Sequence, residues 1–181
     1  MDLRTTTTSI RELQPSDAEE LLELRVRNRA FFRPWEPVPA PGHFTLDGQR
    51  FDVEACRQDA RAGRSYVFGI FDASATLVGR VALTSIVRLS WCNANLGYYV
   101  GREHNGKGHA TDAVRLAVTF AFRDAGLHRV QAGVMPSNAA SLRVVEKAGF
   151  RREGYAPRYL RIAGRWEDHV LFAVTAEEWT A

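Results

Sequence analysis

Gly106 and Gly108 flank Lys107 between a β-rich run ending at Val100 and a helix-forming run opening near Ala110. Glycines strip side chains from a turn, so its backbone can curl tightly and approach a ligand. Amides of such a turn, with the positive end of a helix behind them, converge on one place and suit phosphates. Alone, this pattern is weak. A dinucleotide-binding unit wants a third glycine where this chain has Thr111, and a P-loop wants Ser or Thr after its lysine, where this chain has Gly108. Ser137 or Asn138 reads as the N-cap of a second helix, and Ser141 falls in that helix's first turn. Glu36 lies between prolines beside Arg33, and Asp168 precedes His169. His43, His104, His109 and His128 do not stand at metal-ligand spacing, so no metal is expected.

These residues need elements to hold them. Residues 8–13 read as a strand, and Ser16 or Asp17 as the cap of a helix burying Ala18, Leu21 and Leu24. Residues 28–37 read as a Pro-broken loop rich in aromatics, and residues 46–62 as a helix stopped by Gly63. Strands are expected at 65–71 and 77–86, joined by a hairpin turn, and at 91–100, whose last part (95–100) enters the glycine turn. The helix after it buries Ala113, Ala117, Phe120 and Ala121 and ends near Gly126. A strand at 128–134, a helix at 139–148 and a hairpin of strands at 158–162 and 165–174 complete one α/β domain over residues 1–181.

Composition limits the function classes. The 181 residues suffice for one sizeable core, and 45% apolar with 25% charged residues are ordinary for a globular chain. No membrane-spanning run and no apolar signal core are present, so a cytoplasmic protein is expected. Cys56 and Cys92 are too few for a disulfide framework. A net charge of +3 is weak grounds for nucleic-acid binding, and no direct nucleic-acid or membrane partner is expected.

The chain resembles the GNAT superfamily of N-acetyltransferases, and within it the RimJ/RimL group, closest to RimJ-type ribosomal-protein alanine N-acetyltransferases. The likeness runs through Asn28-Arg29, residues 32–38, Leu96-Gly97-Tyr98 and Gly106-Lys107-Gly108. It continues through Met135-Pro136 with Asn138, Gly149-Phe150, residues 153–156, residues 166–170 and Trp179-Thr180. The resemblance implies an α/β (α+β) fold: a mixed, mostly antiparallel twisted sheet whose fourth and fifth strands splay, flanked by helices. It implies acetyl-CoA as cosubstrate, with pantetheine beside Tyr98, Tyr99 and Val100 and pyrophosphate at Gly106, Lys107, Gly108, His109, Ala110 and Thr111. Asn138 would bind pantetheine and Ser141 would protonate the leaving thiolate. Phe32 and Trp35, with Phe31, would wall the acceptor site. Glu36 and Asp168 are the acids left to consider, Asp168 more as an orienting group than as a base. Glu103 stands where the group usually has Gln or Arg, and is expected to turn away from the pyrophosphate. The family's base positions fall on Asn95 and Leu160, neither of which can take a proton, so the base is unassigned.

The implied reaction is acetylation of a protein N-terminal amine, most like that of a ribosomal-protein alanine, by a monomer or homodimer. Two rivals stand beside it: a small-amine (antibiotic or polyamine) acetyltransferase, and a non-catalytic acyl-CoA-binding or ribosome-assembly module.

Overall fold

The protein is described by a computed structural model covering residues 2–180. Its strands are β1 (Asp2–Arg4), β2 (Thr8–Glu12), β3 (Tyr66–Asp72), β4 (Leu77–Val87), β5 (Asn93–Val100), β6 (Arg129–Val134), β7 (Arg151–Ile162) and β8 (Arg165–Thr175). Its helices are α1 (Ala18–Arg27), α2 (Arg29–Phe32), α3 (Leu46–Arg61), α4 (His109–Arg123) and α5 (Ala139–Lys147). The strands form one sheet in the order β1-β2-β3-β4-β5-β6-β8-β7.

Ladder pairing decides where the site can lie. Among the described residues, β5 and β6 alone run parallel, and they stop pairing at Asn95 opposite Gln131. Beyond that point β5 stays on β4 as far as Val100, and β6 stays on β8 as far as Val134. Residues 96–100 and 132–134 therefore diverge and leave a V-shaped gap with free backbone edges. The expected splay is present. Because β1 precedes the first strand read from the sequence, it falls between the fifth and sixth strands.

Two helical layers hold the gap rigid. Ala113, Val114, Ala117, Val118 and Ala121 of α4 are fully buried against one face of the sheet, with Val145 of α5. Leu21, Leu24 and Val53 of α1 and α3 pack on the other face with Leu13, Phe71 and Leu77. Covered on both sides, β3 is buried continuously from Val67 to Phe71 rather than in alternation.

Several local readings need correction. Residues 28–37 are not an open loop: α2 and a 3₁₀ turn (Arg33–Trp35) occupy them, because Pro34 sits at the start of a turn, where its missing N–H costs nothing. Neither Ser16 nor Asp17 caps α1 through a side-chain bond. Asp17 instead accepts from the Gln14 N–H at 2.7 Å and from both Arg11 terminal nitrogens at 2.7 and 2.9 Å. Strand β7 begins at Arg151 rather than Arg158. It is an edge strand, where Pro157 is tolerated, and register shifts at 152–154 and 156–160 hide its period from the sequence.

Two histidines couple this core to pH. His109 is buried, with Nδ1 2.9 Å from Thr8 Oγ1. Burial pulls its pKa below the usual 6.5, and burial with the neighbouring Arg25 cation does the same for His43. The unfolded chain then binds protons near 6.5 while the native imidazoles remain neutral, so the native state loses stability as pH falls below about 6.5. Thermal melts should show Tm dropping between about pH 7.5 and pH 5.5, with a smaller drop in the His43→Gln, His109→Gln double variant. Equal drops in both proteins would contradict this coupling.

Candidate functional site

The turn from β5 into α4 has the backbone its glycines suggest. Gly106 has φ 77° and Gly108 φ 92°, left-handed values that favour glycine, and a Cβ placed on either would meet nothing within 4 Å. Gly108 is the N-cap of α4, and the helical ladder opens with the Asp112 N–H to Gly108 O bond at 3.0 Å. The amides of His109, Ala110 and Thr111 therefore have no acceptor within the helix, and the Gly108 cap supplies no side-chain one. Clear space in front of free N–H groups at the positive end of a 15-residue helix suits a phosphate. His109 contributes through its amide alone, since its imidazole turns inward to Thr8. Lys107 is exposed and does not line the cleft. Glu103 is drawn off by Arg27 at 2.7 Å, the turning away expected of it.

The cleft in front of this turn has a volume of about 590 Å³. It gathers Tyr98, Tyr99 and Val100 from β5, Gly106, Gly108, His109, Ala110 and Thr111 from the turn, Asn138 and Ser141 from α5, and Phe31, Phe32 and Trp35. Tyr98 Oη lies 2.7 Å from Ser141 Oγ and donates to Ser141 O at 3.2 Å. Burial pushes the Tyr98 phenol up to about 12, against a smaller opposing effect of the Ser141 bond, so it remains a neutral hydroxyl at working pH. Asn138 Oδ1 accepts the Ser141 N–H at 3.0 Å and caps α5, which leaves its amide NH₂ for a ligand carbonyl. Asn138→Ala should lower stability by about 1 kcal/mol and Tm by about 2–4 °C, read in a thermal melt. An unchanged Tm would deny the cap.

Asn105, Arg143 and Lys147, which the sequence did not point to, also line this cleft, with His104, which was weighed only as a metal ligand. Arg143 and Lys147 were detectable in principle. They stand four residues apart, hence on one face, of the helix that Asn138 opens.

Glu36 and Asp168 are not brought into the cleft. Both Glu36 carboxylate oxygens accept from Arg25 Nη2, at 2.7 and 2.8 Å, rather than lying free beside Arg33. Arg25 Nε donates to His43 Nε2 at 3.1 Å, and the guanidinium lies 5.0 Å from the Phe32 ring and 4.9 Å from the Tyr99 ring. This buried knot anchors the segment carrying Trp35. Glu36→Gln should consequently change kcat by less than about tenfold, whereas a loss of about 10²-fold in a turnover assay would give the carboxylate a proton-transfer role. Asp168 accepts from Tyr155 Oη and from the Arg158 N–H at 2.8 Å, tying down the irregular middle of β7.

A second cavity of about 490 Å³ opens along the same gap. It is lined by Asn95, Gly97, Gln131 and Gly133, whose positions alternate with those of Leu96 and Tyr98 and so face away from α5. Tyr159, Leu160, Arg129 and Glu153 close it. Asn95 Oδ1 accepts from Gln131 Nε2 at 2.7 Å, and Glu153 is held by Arg129 and Arg151. Among the described residues, no group of three or more His, Cys, Asp or Glu could hold a metal ion, and no helix is long and apolar enough to cross a membrane.

Comparison with known proteins gives this geometry a context. The acetyltransferase (GNAT) domain family matches residues 8–151. The chain is 43% identical over 173 residues to Probable N-acetyltransferase YjcK of Bacillus subtilis, covering 95% of this chain and 96% of that one. It is 34% identical over 172 residues to the ribosomal protein uS5-alanine N-acetyltransferase of Escherichia coli, covering 94% and 89%. Mycobacterium smegmatis RimJ, solved in complex with CoA-disulfide, superposes with a TM-score of 0.93 at 30% identity, over 100% of this chain and 88% of that one.

Proposed function

This chain belongs to the GNAT acetyltransferase family, and we propose that the amine it acetylates is the N-terminal α-amine of a protein, foremost an alanine-starting ribosomal protein. It is an acetyl-CoA-dependent N-acetyltransferase. The observation that carries the peptide reading is the second cavity. Its one lining carboxylate, Glu153, is already neutralised by Arg129 and Arg151, so it offers no acidic pocket for a polyamine. The 34% identity to a uS5-alanine acetyltransferase supports the same reading.

In this reading the pantetheine arm pairs with the free edge of β5 like an added strand, and the pyrophosphate meets the amides from Gly106 to Thr111. The thioester then lies in the gap, within reach of a backbone N–H near Tyr98 or Tyr99 that stabilises the oxyanion. Ser141 gives its proton to the departing thiolate, with the neutral Tyr98 hydroxyl beside it. Proton removal from the acceptor is the lighter task. An α-amine of pKa about 7.8 is roughly 14% neutral at pH 7, about 300-fold more than a lysine.

Free-CoA release with acetyl-CoA tests the acceptor. The panel holds Ala- and Ser-starting peptides, the same peptides with blocked N-termini, polyamines and aminoglycosides. Turnover confined to free N-termini is expected. Turnover confined to the small amines would overturn the acceptor class and leave the acetyl transfer itself intact.

A further inference from the structure

We propose that His169 takes the proton of the incoming amine. The proposal rests on the reading that the acceptor enters through the second cavity. His169 lies on β8 and is only 3% exposed. Its Nδ1 is 2.9 Å from the backbone carbonyl of Glu167. A carbonyl can only accept, so Nδ1 carries the hydrogen and Nε2 keeps its lone pair. Among the described residues no hydrogen-bond or ion-pair partner reaches Nε2. Nε2 is not among the fully buried unpaired side-chain atoms, so this unpaired lone pair keeps a small contact with solvent and is open to a proton.

Its surroundings say what could visit. The register Gly133 opposite Leu171 puts residues 169 and 171 on the same face of the sheet as Gly133. A Cβ at Gly133 would lie 3.5 Å from His169 Cδ2, the ring atom bonded to Nε2, and 3.3 Å from Tyr159 Cε1. Gly133 and Tyr159 both line the second cavity, and the Tyr159 ring, 40% exposed, sits 5.7 Å from the imidazole. Carrying the parallel register of Asn95 and Gln131 two residues further sets Gly97 across the gap from Gly133. His169 does not itself line the cavity but stands beside its Gly133 and Tyr159 wall, so the proton passes from the amine to Nε2 through one water.

The competing groups are engaged. Arg129 and Arg151 hold Glu153, Arg25 holds Glu36, and Tyr155 with the Arg158 N–H holds Asp168. Charged neighbours of His169 on its own strand are Glu167 and Asp168, Asp168 in turn feels Arg158 of β7, and the Tyr159 ring packs against the imidazole.

The step balances. The α-ammonium gives one proton to His169 Nε2, and the neutral nitrogen bonds the thioester carbonyl carbon. The C–S bond breaks with its electron pair on sulfur, which takes a proton from Ser141. The nitrogen's second proton leaves to water as the amide forms, and solvent restores both side chains, so one proton is released per turnover.

His169→Gln tests this against whichever amine the wild-type enzyme acetylates. The acceptor panel therefore fails or succeeds before any variant is made, and independently of it. At about pH 7 the variant should lose about 10²-fold in kcat/KM with CoA affinity unchanged, and at about pH 9, where an α-amine is largely neutral, the gap should close. A gap that is the same at every pH, or no gap, overturns the proposal. Should the variant not fold, the backbone-assigned ¹⁵N spectrum of the wild-type imidazole decides. An Nδ1–H tautomer is the expected result, and an Nε2–H tautomer removes the base.

Discussion

Ser141→Ala should lower kcat by about 10²-fold while CoA affinity changes by less than about twofold. The asymmetry follows from what each part of Ser141 does. Its N–H is held by Asn138 at the start of α5, and that backbone bond survives the substitution. Its hydroxyl lines the cleft, 2.7 Å from Tyr98 Oη, and in the proposed reaction this is the group that gives the departing thiolate its proton. Tyr98 titrates only at about 12, so it cannot impose a pH dependence near neutrality, but as a neutral hydroxyl it can relay or partly replace the lost proton source. Tyr98→Phe alone should therefore cost less than Ser141→Ala, and the double variant should fall below Ser141→Ala alone, in the same CoA-release assay. Wild-type turnover in Ser141→Ala would remove Ser141 from the chemistry altogether.

The parts of this site that could be read from sequence are those whose chemistry is local. Two glycines between a strand and a helix announce a turn with φ > 0, and Ser137-Asn138 before a helical run announces a cap, which the structure assigns to Asn138; both are decided by neighbours in the chain. Most of the order of strands and helices was legible for the same reason, whereas the divergence of one strand pair was implied only by the resemblance to the GNAT superfamily. What stayed hidden depends on partners far away in sequence. Nothing near Glu36 shows that Arg25, across α2, claims both its oxygens. Nothing near His169 shows that Gly133, on another strand, leaves room for Tyr159 to cover the imidazole. The register shifts of β7 moved Tyr159 and Leu160 to the cavity wall, a placement that alternation along the strand cannot predict.

Gly108→Val should weaken CoA binding by at least about tenfold, measured by calorimetry, and leave kcat at saturating acetyl-CoA near wild type. Forcing a non-glycine residue into the left-handed region costs about 1–2 kcal/mol; a free turn that relaxes to escape this must be driven back on binding, and about 1.4 kcal/mol is then a tenfold change in affinity, with β-branching making the fit worse. The substituent meets no protein atom within 4 Å, so the folded chain has no clash to relieve. Gly108 lines the cleft at the start of α4, and any shift of its φ away from 92° swings the free amides that follow it off their common target. Lys107→Ala is the contrasting variant. That side chain is exposed and stands outside the cleft, so an attraction of screened surface charge, worth about 1 kcal/mol at most, is all it can lose. If the lysine variant lost more affinity than the glycine variant, the phosphates would be held by charge rather than by backbone, and the anion cradle would be the wrong description of this turn.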